Sequence, residues 1–256
     1  MPTGSFSAKA YSFFDTLLWI ACLNLLWIVF SVAGLGVLGV GPATAAAHIL
    51  VRRRVRGEAA PLLRAFTREF GRNFGRGNGL ALPVMLAGAA LTLNWNYFSA
   101  TGDLLSQLMA AGVFLAAILV VAVVCHLFPM FARYELPLAQ YLVMSSRFAL
   151  RHLAGTAILL FVTAAALYAS QALPGLIPFF SIGAWLYVTG WLCDRFFAAN
   201  DESVMADGLA RAAGGGGAAA GAGSGAGTSA GAADASGGAA GYGAGRPPRS
   251  TESVIA

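Results

Sequence analysis

The chain has 256 residues, of which 58% are hydrophobic and only 11% are charged, and its mean hydropathy is +0.71. A soluble domain carries about 25% charged residues because water must wet its surface, so this composition excludes an ordinary soluble domain and indicates a membrane protein. The net charge is +5, and 15 of the 16 basic residues are arginine. Most of these arginines lie between hydrophobic stretches, which is typical of cytoplasmic loops and disfavours a nucleic-acid-binding protein.

The first hydrophobic stretch is too long to be one straight membrane span. No charged residue occurs over positions 16–51, and a helix of that length would measure about 54 Å, against a hydrocarbon core of about 30 Å. Several glycines and one proline interrupt the stretch. Because proline is well tolerated in the first turn of a helix, we expect the helix break at Gly41 and Pro42.

The break predicts two helical pieces behind a short N-terminal segment, 1–11. The first piece covers about 12–33 and the second about 42–56. The second piece either completes a crossing or dips into the membrane as a half-helix. A hairpin or re-entrant arrangement that leaves the N-terminus in the cytoplasm is the one we favour.

Four later stretches are long and apolar enough to cross a bilayer as helices. We expect these spans at about 79–98, 105–128, 153–173 and 176–193. Because arginine-rich loops remain in the cytoplasm, the segments 52–78 and 129–152 and the C-terminus are expected on that side of a plasma membrane. The predicted fold class is therefore an all-α, polytopic transmembrane helical bundle over 12–197, with four clear spans plus the broken N-terminal element.

A cytoplasmic amphipathic helix is predicted over 61–76. Its aromatic and basic residues each recur every four positions on opposite faces of a helix, which is typical of a helix lying in the membrane interface near anionic headgroups. The helix serves either as a topology anchor or as a docking helix for a cytoplasmic partner. A soluble-core role and a nucleic-acid role are further alternatives. The candidate docking residues are Phe66, Phe70, Phe74, Arg64, Arg68 and Arg72.

The C-terminal segment, 198–256, is rich in glycine, alanine and serine. Such a composition cannot bury enough apolar surface to offset the entropy lost on ordering. We therefore expect a disordered tail, to which we assign no activity.

A few polar residues near or within the spans are candidates for helix packing or for a polar path. Asn24 lies in the middle of the first span, where an amide usually joins helices by hydrogen bonds. Arg133 and Glu135 lie at a span end and are expected to pair with each other or with the neighbouring Asp194 and Arg195. A gating or substrate role for these charges is the alternative.

No catalytic signature occurs in the sequence. P-loop, HExxH and GxSxG motifs are absent, and the three cysteines and three histidines do not show metal-ligand spacing. We therefore expect no enzyme, no catalytic residue, no metal and no cofactor.

Several motifs together resemble a known family of bacterial membrane proteins. They are the run LNLLWIVFS from Leu23 to Ser31, GPATAA from Gly41, VRGE from Val55, the aromatic and basic segment 66–74, FPMFARYE from Phe128, and ALRHL from Ala149. This combination is similar to the YesL family, also known as domain of unknown function 624. The resemblance covers about 6–197, whereas the tail lies outside it.

The resemblance implies an integral membrane protein encoded beside carbohydrate-uptake transporters and polysaccharide-degrading enzymes. It suggests an accessory or regulatory role in carbohydrate uptake, with subunits of a sugar ABC transporter as possible partners beside the lipid bilayer. The alternative is a transporter or channel in its own right, with a polar path near Asn24 and the 34–42 helix break. A membrane enzyme is the least favoured class.

Overall fold

A computed structural model describes the backbone of residues 3–58 and 60–221, and the side chains of residues 11–58, 60–175 and 179–210. The described chain is helical and contains no strand. Its helices are α1 Thr3–Ala33, α2 Val37–Val55, α3 Leu62–Arg72, α4 Phe74–Ala100, α5 Leu104–Arg133, α6 Leu138–Arg151, α7 Leu153–Ala172 and α8 Ile182–Gly221. The N-terminal segment 1–11 is therefore helical from Thr3.

Four of these helices are long and apolar enough to cross a membrane: Tyr11–Ala33 within α1, together with α4, α5 and α7. Their outward surfaces are apolar, since large side chains such as Phe114 and Phe161 are 57% and 74% exposed. A water-soluble protein rarely exposes such a surface. The spans predicted at about 12–33, 79–98, 105–128 and 153–173 coincide with these helices, and the protein is a multi-pass membrane protein.

The predicted span 176–193 is not among the four. A 3₁₀ turn at Pro174–Leu176 and a π turn at Ile177–Ser181 precede α8, which begins only at Ile182. The uncharged part of α8 ends at Cys193, so this twelve-residue piece is about 18 Å long, short of the hydrocarbon core. A crossing by this segment stays a prediction.

The break in the first hydrophobic stretch lies at Gly34–Gly36, and the prediction that placed it at Gly41 and Pro42 is wrong. Leu35 and Gly36 have φ angles of 63° and 69°, a left-handed conformation that turns the chain and that glycine adopts without strain. Helix α2 then starts at Val37 and contains Pro42. Pro42 lies beyond the first turn of α2, so its missing N–H removes one hydrogen bond of the helix, yet α2 continues through it.

Helix α2 returns along α1, which is the hairpin alternative. The indole N–H of Trp27 donates to the hydroxyl of Thr44 over 3.0 Å, and farther along the two helices Arg54 forms an ion pair with Asp15. The ends of the hairpin that are distant from the turn therefore lie together. The buried middle of α2 forms the core with residues of α1, α3 and α8, namely Leu23, Ala43, Ala46, Ala47, Leu50, Val51, Ala65, Phe66 and Leu186.

Helix α4 crosses α2 at a contact between backbones. A Cβ atom added to Gly77 would lie 2.8 Å from the Cα of Pro42, and one added to Gly41 would lie 2.7 Å from the carbonyl oxygen of Gly77. Real Cβ atoms do not approach other atoms this closely, so both positions require glycine. Gly41 and Pro42 are therefore helix-packing residues.

The predicted helix 61–76 is divided in the structure. Helix α3 ends at Arg72, Asn73 separates the two elements, and Phe74 begins α4. Phe66 is fully buried and packs on Phe30 of α1. The apolar face of α3 is thus covered by protein at Phe66, which corrects the prediction that lipid covers it: an amphipathic face can be buried by either.

The chain divides into two compact units, Met1–Phe196 and Phe197–Ala256. In the second unit, the structure differs from the predicted disordered tail over 198–221, because α8 continues to Gly221. Alanine is the strongest helix former, and this part of the tail contains many alanines before its glycines. The rest of the predicted tail, 222–256, lies outside the described residues.

Candidate functional site

Charged residues from four helices meet at one end of the first unit. Asp194 of α8 lies between two arginines: its Oδ1 is 2.8 Å from Nη1 of Arg133, the last residue of α5, and 3.6 Å from Nε of Arg52 near the end of α2. Arg52 also donates through Nη1 to the carbonyl oxygen of Ala132 over 2.9 Å. These contacts fix the C-terminal ends of α2 and α5 to α8 at Asp194.

A second carboxylate, Glu69 of α3, is fully buried by its surroundings and holds three arginines. Its oxygens lie 3.0 Å from Arg53, 3.4 Å from Arg68 and 3.0 Å from Arg72, whereas the side chains of Arg68 and Arg72 are 66% exposed. The amide of Asn73 donates to the backbone oxygen of Glu69 over 2.9 Å. A buried carboxylate is stable only when paired and hydrogen-bonded, so Glu69 organises this arginine cluster.

Between these two centres lies a polar cavity of about 220 Å³. Its walls come from the end of α2, the junction of α3 with α4, and the segment that joins α5 to α6. Two glutamates, Glu58 and Glu135, line it, and both are exposed. Arginines dominate the rest of the lining, namely Arg52, Arg53, Arg56, Arg72, Arg76 and Arg133.

Three of these arginines have unusual surroundings. Within the described residues, Arg56 and Arg76 form no ion pair with an acid. Arg76 instead donates to the carbonyl oxygen of Leu136 over 2.8 Å and lies 5.4 Å above the Phe131 ring. The Nε of Arg52 is buried and has no hydrogen-bond acceptor among the described side chains and backbone.

Arg52 lies outside the four spans, and burial lowers its pKa, with the positive charges of Arg56 and Arg133 adding to the effect. Cations thus crowd one another in this cavity even though Asp194 opposes the shift. Like charges at such short range are unfavourable in a partly buried place. An anion placed among them would relieve the repulsion.

Tyr141 of α6 holds the wall formed by the α5–α6 connection. Its hydroxyl accepts a hydrogen bond from the Leu136 N–H over 2.9 Å and donates one to the carbonyl oxygen of Tyr134. Burial raises the pKa of this phenol, so it stays a neutral donor at physiological pH. The connection therefore has a fixed position beside the arginines.

The structure places the predicted docking residues on and beside α3. Arg64, Arg68 and Arg72 are exposed. Phe66 is buried, Phe70 packs on Phe30 5.1 Å away, and Phe74, at the start of α4, is 39% exposed. The basic face of the predicted helix is therefore open, whereas Phe66 and Phe70 of its aromatic face are covered by protein.

The remaining predicted residues serve structural contacts. Arg133 pairs with Asp194, which was one of the expected alternatives, whereas Glu135 lines the cavity and forms no ion pair with any residue that the structure describes. Asn24 is fully buried, and its Oδ1 accepts a hydrogen bond from the backbone N–H of Gly183 over 2.8 Å. That contact supports the helix-packing interpretation of Asn24.

The predicted site residues do not include Arg52, Arg56, Arg76 and Glu69. One signal was present: Glu69 is one of only two acidic residues among eight arginines between Arg52 and Arg76. An acidic residue among so many arginines suggests a structural ion pair. The contribution of α5 and α8 to the same cavity depends on tertiary contacts and has no local signal.

The described residues contain no group of three histidine, cysteine, aspartate or glutamate side chains that could hold a metal ion.

One protein family matches part of this chain. The family described as "Protein of unknown function, DUF624" matches residues 20–95, which include α2, α3 and most of α4. The chain is 31% identical to the uncharacterized protein YesV of Bacillus subtilis (strain 168) over 162 residues, covering 63% of this chain and 78% of YesV. No solved structure matches this chain.

Two further relatives from the same organism are also uncharacterized. YteU is 30% identical over 168 residues, covering 65% of this chain and 75% of YteU. YesL is 33% identical over 128 residues, covering 49% of this chain and 59% of YesL.

Proposed function

Because this chain belongs to the DUF624 family, whose matched relatives are uncharacterized, we propose its function from its own residues and from the resemblance described above. The protein is a non-enzymatic accessory or regulatory component of carbohydrate uptake in the plasma membrane. It uses the exposed arginines of α3 to bind a cytoplasmic partner, and a subunit of a sugar ABC transporter is the partner we propose. The end of the bundle that carries these arginines faces the cytoplasm.

The observation that carries the proposal is the way Glu69 holds α3. This carboxylate is fully buried and pairs with both Arg68 and Arg72, whose side chains remain 66% exposed. Their guanidinium groups are therefore held in place before any partner arrives. Arginine is enriched at protein interfaces, and a preorganised side chain loses less conformational entropy on binding.

Charge complementarity defines the partner's surface. Three exposed arginines along one short helix, Arg64, Arg68 and Arg72, match an acidic patch on another protein. Guanidinium groups bind carboxylates with two parallel hydrogen bonds, which gives such a contact direction as well as attraction. Phe74, partly exposed at the start of the next helix, offers an apolar contact beside them.

The alternative of an independent transporter has less support. The amide oxygen of Asn24 already accepts the Gly183 N–H, and the break at Gly34–Gly36 is a closed turn between antiparallel helices. A polar path through this region would require this hydrogen bond to break and this turn to open.

Purification of the tagged full-length protein in a mild detergent tests the proposal. The docking variant carries Arg64→Glu and Arg68→Glu, and the matched control carries Arg147→Glu and Arg151→Glu on α6, which are also exposed. We expect a permease or ATPase subunit of a sugar transporter to copurify with the wild type and the control, but not with the docking variant.

Absence of any transporter subunit from the wild-type preparation would refute the proposal. So would equal recovery of the subunit with both variants. Sugar uptake by the purified protein alone in liposomes would instead support the transporter alternative.

A further inference from the structure

The cavity at the charged end shares Arg72 with the exposed face of α3, but the rest of its lining comes from other elements, and its composition indicates a ligand of its own. We infer that this cavity binds the phosphate group of a small ligand, supplied either by an anionic lipid headgroup or by a free phosphate compound. The inference depends on Arg52, Arg56, Arg76 and Arg133 and does not require a protein partner.

The charge of the cavity matches a phosphate better than a single carboxylate. Six arginines line it, and four acidic groups oppose them: Glu58 and Glu135 in the lining, and Glu69 and Asp194 behind it. An excess of two positive charges remains. A phosphate monoester carries a charge of about −1.5 to −2 at neutral pH, so one such group neutralises the excess.

The hydrogen-bond donors of the cavity are only partly used. Glu69 and Asp194 occupy Arg53, Arg72 and Arg133, whereas Arg56 has no acid partner in the described part of the chain. The buried Nε of Arg52 has no acceptor, and the nearest carboxylate oxygen, on Asp194, is 3.6 Å away. A buried donor without a well-placed acceptor is unfavourable. A phosphate oxygen at this position would satisfy the donor and bind the guanidinium fork.

The size of the cavity limits the ligand. Pockets for drug-sized molecules have volumes of about 300–1,000 Å³, whereas this one measures about 220 Å³. It accommodates a phosphate and a few attached atoms. The rest of a larger ligand must lie outside.

The position of the cavity explains why two sources are possible. Arg133 is the last residue of the α5 span and Arg76 lies in the first turn of the α4 span. The ends of membrane spans lie at the depth of lipid headgroups, where phosphate groups are abundant. The same cavity is also lined by exposed residues such as Arg56 and Glu58, which leaves it open to water-soluble compounds.

Two binding experiments on the full-length protein separate these sources. The first titrates inorganic phosphate into protein purified in a neutral detergent, with calorimetry as the readout and sodium chloride at equal ionic strength as the reference. The second exposes the protein to vesicles of phosphatidylcholine containing phosphatidic acid or phosphatidylglycerol and identifies retained lipids by native mass spectrometry. The variants are Arg52→Gln and Arg56→Gln, and the control is Arg64→Gln, which removes the same charge outside the cavity.

We expect Arg52→Gln and Arg56→Gln each to weaken the binding at least tenfold, and Arg64→Gln to leave it within twofold of the wild type. Binding of inorganic phosphate with this pattern supports a free ligand. Retention of phosphatidic acid with the same pattern, without binding of inorganic phosphate, supports a lipid headgroup. Arg56 is exposed and has no ion-pair partner among the residues that the structure describes, so its substitution leaves the fold intact even if Arg52→Gln does not.

The inference is overturned if the wild type binds neither inorganic phosphate nor an anionic lipid. It is also overturned if all three variants lose binding equally, because the effect would then come from overall charge. Either result leaves the copurification test of α3 unaffected.

Discussion

Asn24 and Gly183 lie 159 positions apart in the chain and are joined by a 2.8 Å hydrogen bond from the Gly183 N–H to Asn24 Oδ1. Gly183 is the second residue of α8, so its N–H is one of the donors that a helix start leaves without a partner inside the helix. Asn24 of α1 provides the acceptor. The bond connects the first span to the first turn of α8, and Asn24 is fully buried.

Replacing Asn24 with leucine should destabilise the protein by about 1–2 kcal/mol, because the Gly183 N–H would be left without an acceptor. The measurement is unfolding in detergent, followed by heat or by denaturant. Asn94→Leu is the matched control, because Asn94 is exposed and its amide bonds only to Ala90 of its own helix. Equal stability of Asn24→Leu and the wild type would contradict this account of α1 and α8.

The backbone contact between α2 and α4 makes Gly77 sensitive to the smallest added side chain. Gly77→Ala should cost about 1–3 kcal/mol, since the new methyl group would force the helices apart. Gly88→Ala on the same helix meets no atom within 4 Å and should leave stability unchanged or slightly improved. The two variants are compared by thermal unfolding, and a similar melting temperature for both would argue against the close approach at Pro42.

Removal of the buried charge at position 69 should release the arginine cluster. Glu69→Gln keeps the shape of the side chain but leaves Arg53, Arg68 and Arg72 without their carboxylate. Loss of one partner of a buried ion pair costs about 3–5 kcal/mol, and solvent exposure of Arg68 and Arg72 reduces that figure to about 2 kcal/mol. The free energy of unfolding is measured with denaturant. Glu58→Gln is the control, because Glu58 is exposed and forms no ion pair among the described residues. A loss no larger than that of the control would mean that Glu69 does not organise α3.

Asp194→Asn should destabilise the charged end and make it more dependent on anions. Arg52 and Arg133 would then repel each other without a carboxylate between them. We expect a lower melting temperature in chloride and a larger stabilisation by inorganic phosphate than in the wild type, measured by thermal unfolding at equal ionic strength. Asp103→Asn, in the α4–α5 connection, is the control. A phosphate effect smaller than that of the wild type would count against the anion site.

Long apolar stretches made the spans predictable, because membrane thickness sets helix length. The features that depend on packing between helices were not predicted from the sequence. Pro42 looked like a helix start, yet the turn forms at Leu35 and Gly36, and glycine at 41 and 77 serves the contact between helices. No local pattern distinguishes a glycine that bends the chain from one that permits close packing.

The basic residues show the same limit at the candidate site. The four-residue spacing of Arg64, Arg68 and Arg72 correctly predicted an exposed basic face. The spacing also included Arg76, which the structure assigns to α4 and to the cavity. Asn73 ends α3 just before it. The cavity combines residues that are far apart in the sequence, such as Arg52 and Arg133. No local sequence pattern therefore predicts it.

The central claim is that the arginine-rich end of the bundle faces the cytoplasm, where α3 meets its partner. Cysteine labelling in intact cells tests it most directly, with Arg64→Cys on α3 and Gly102→Cys in the α4–α5 connection, each combined with Cys22→Ser. The two remaining cysteines, Cys125 and Cys193, are buried. With a membrane-impermeant maleimide, we expect Gly102→Cys to react in intact cells and Arg64→Cys to react only after the membrane is permeabilised. Labelling of Arg64→Cys in intact cells, with Gly102→Cys protected, would contradict the account.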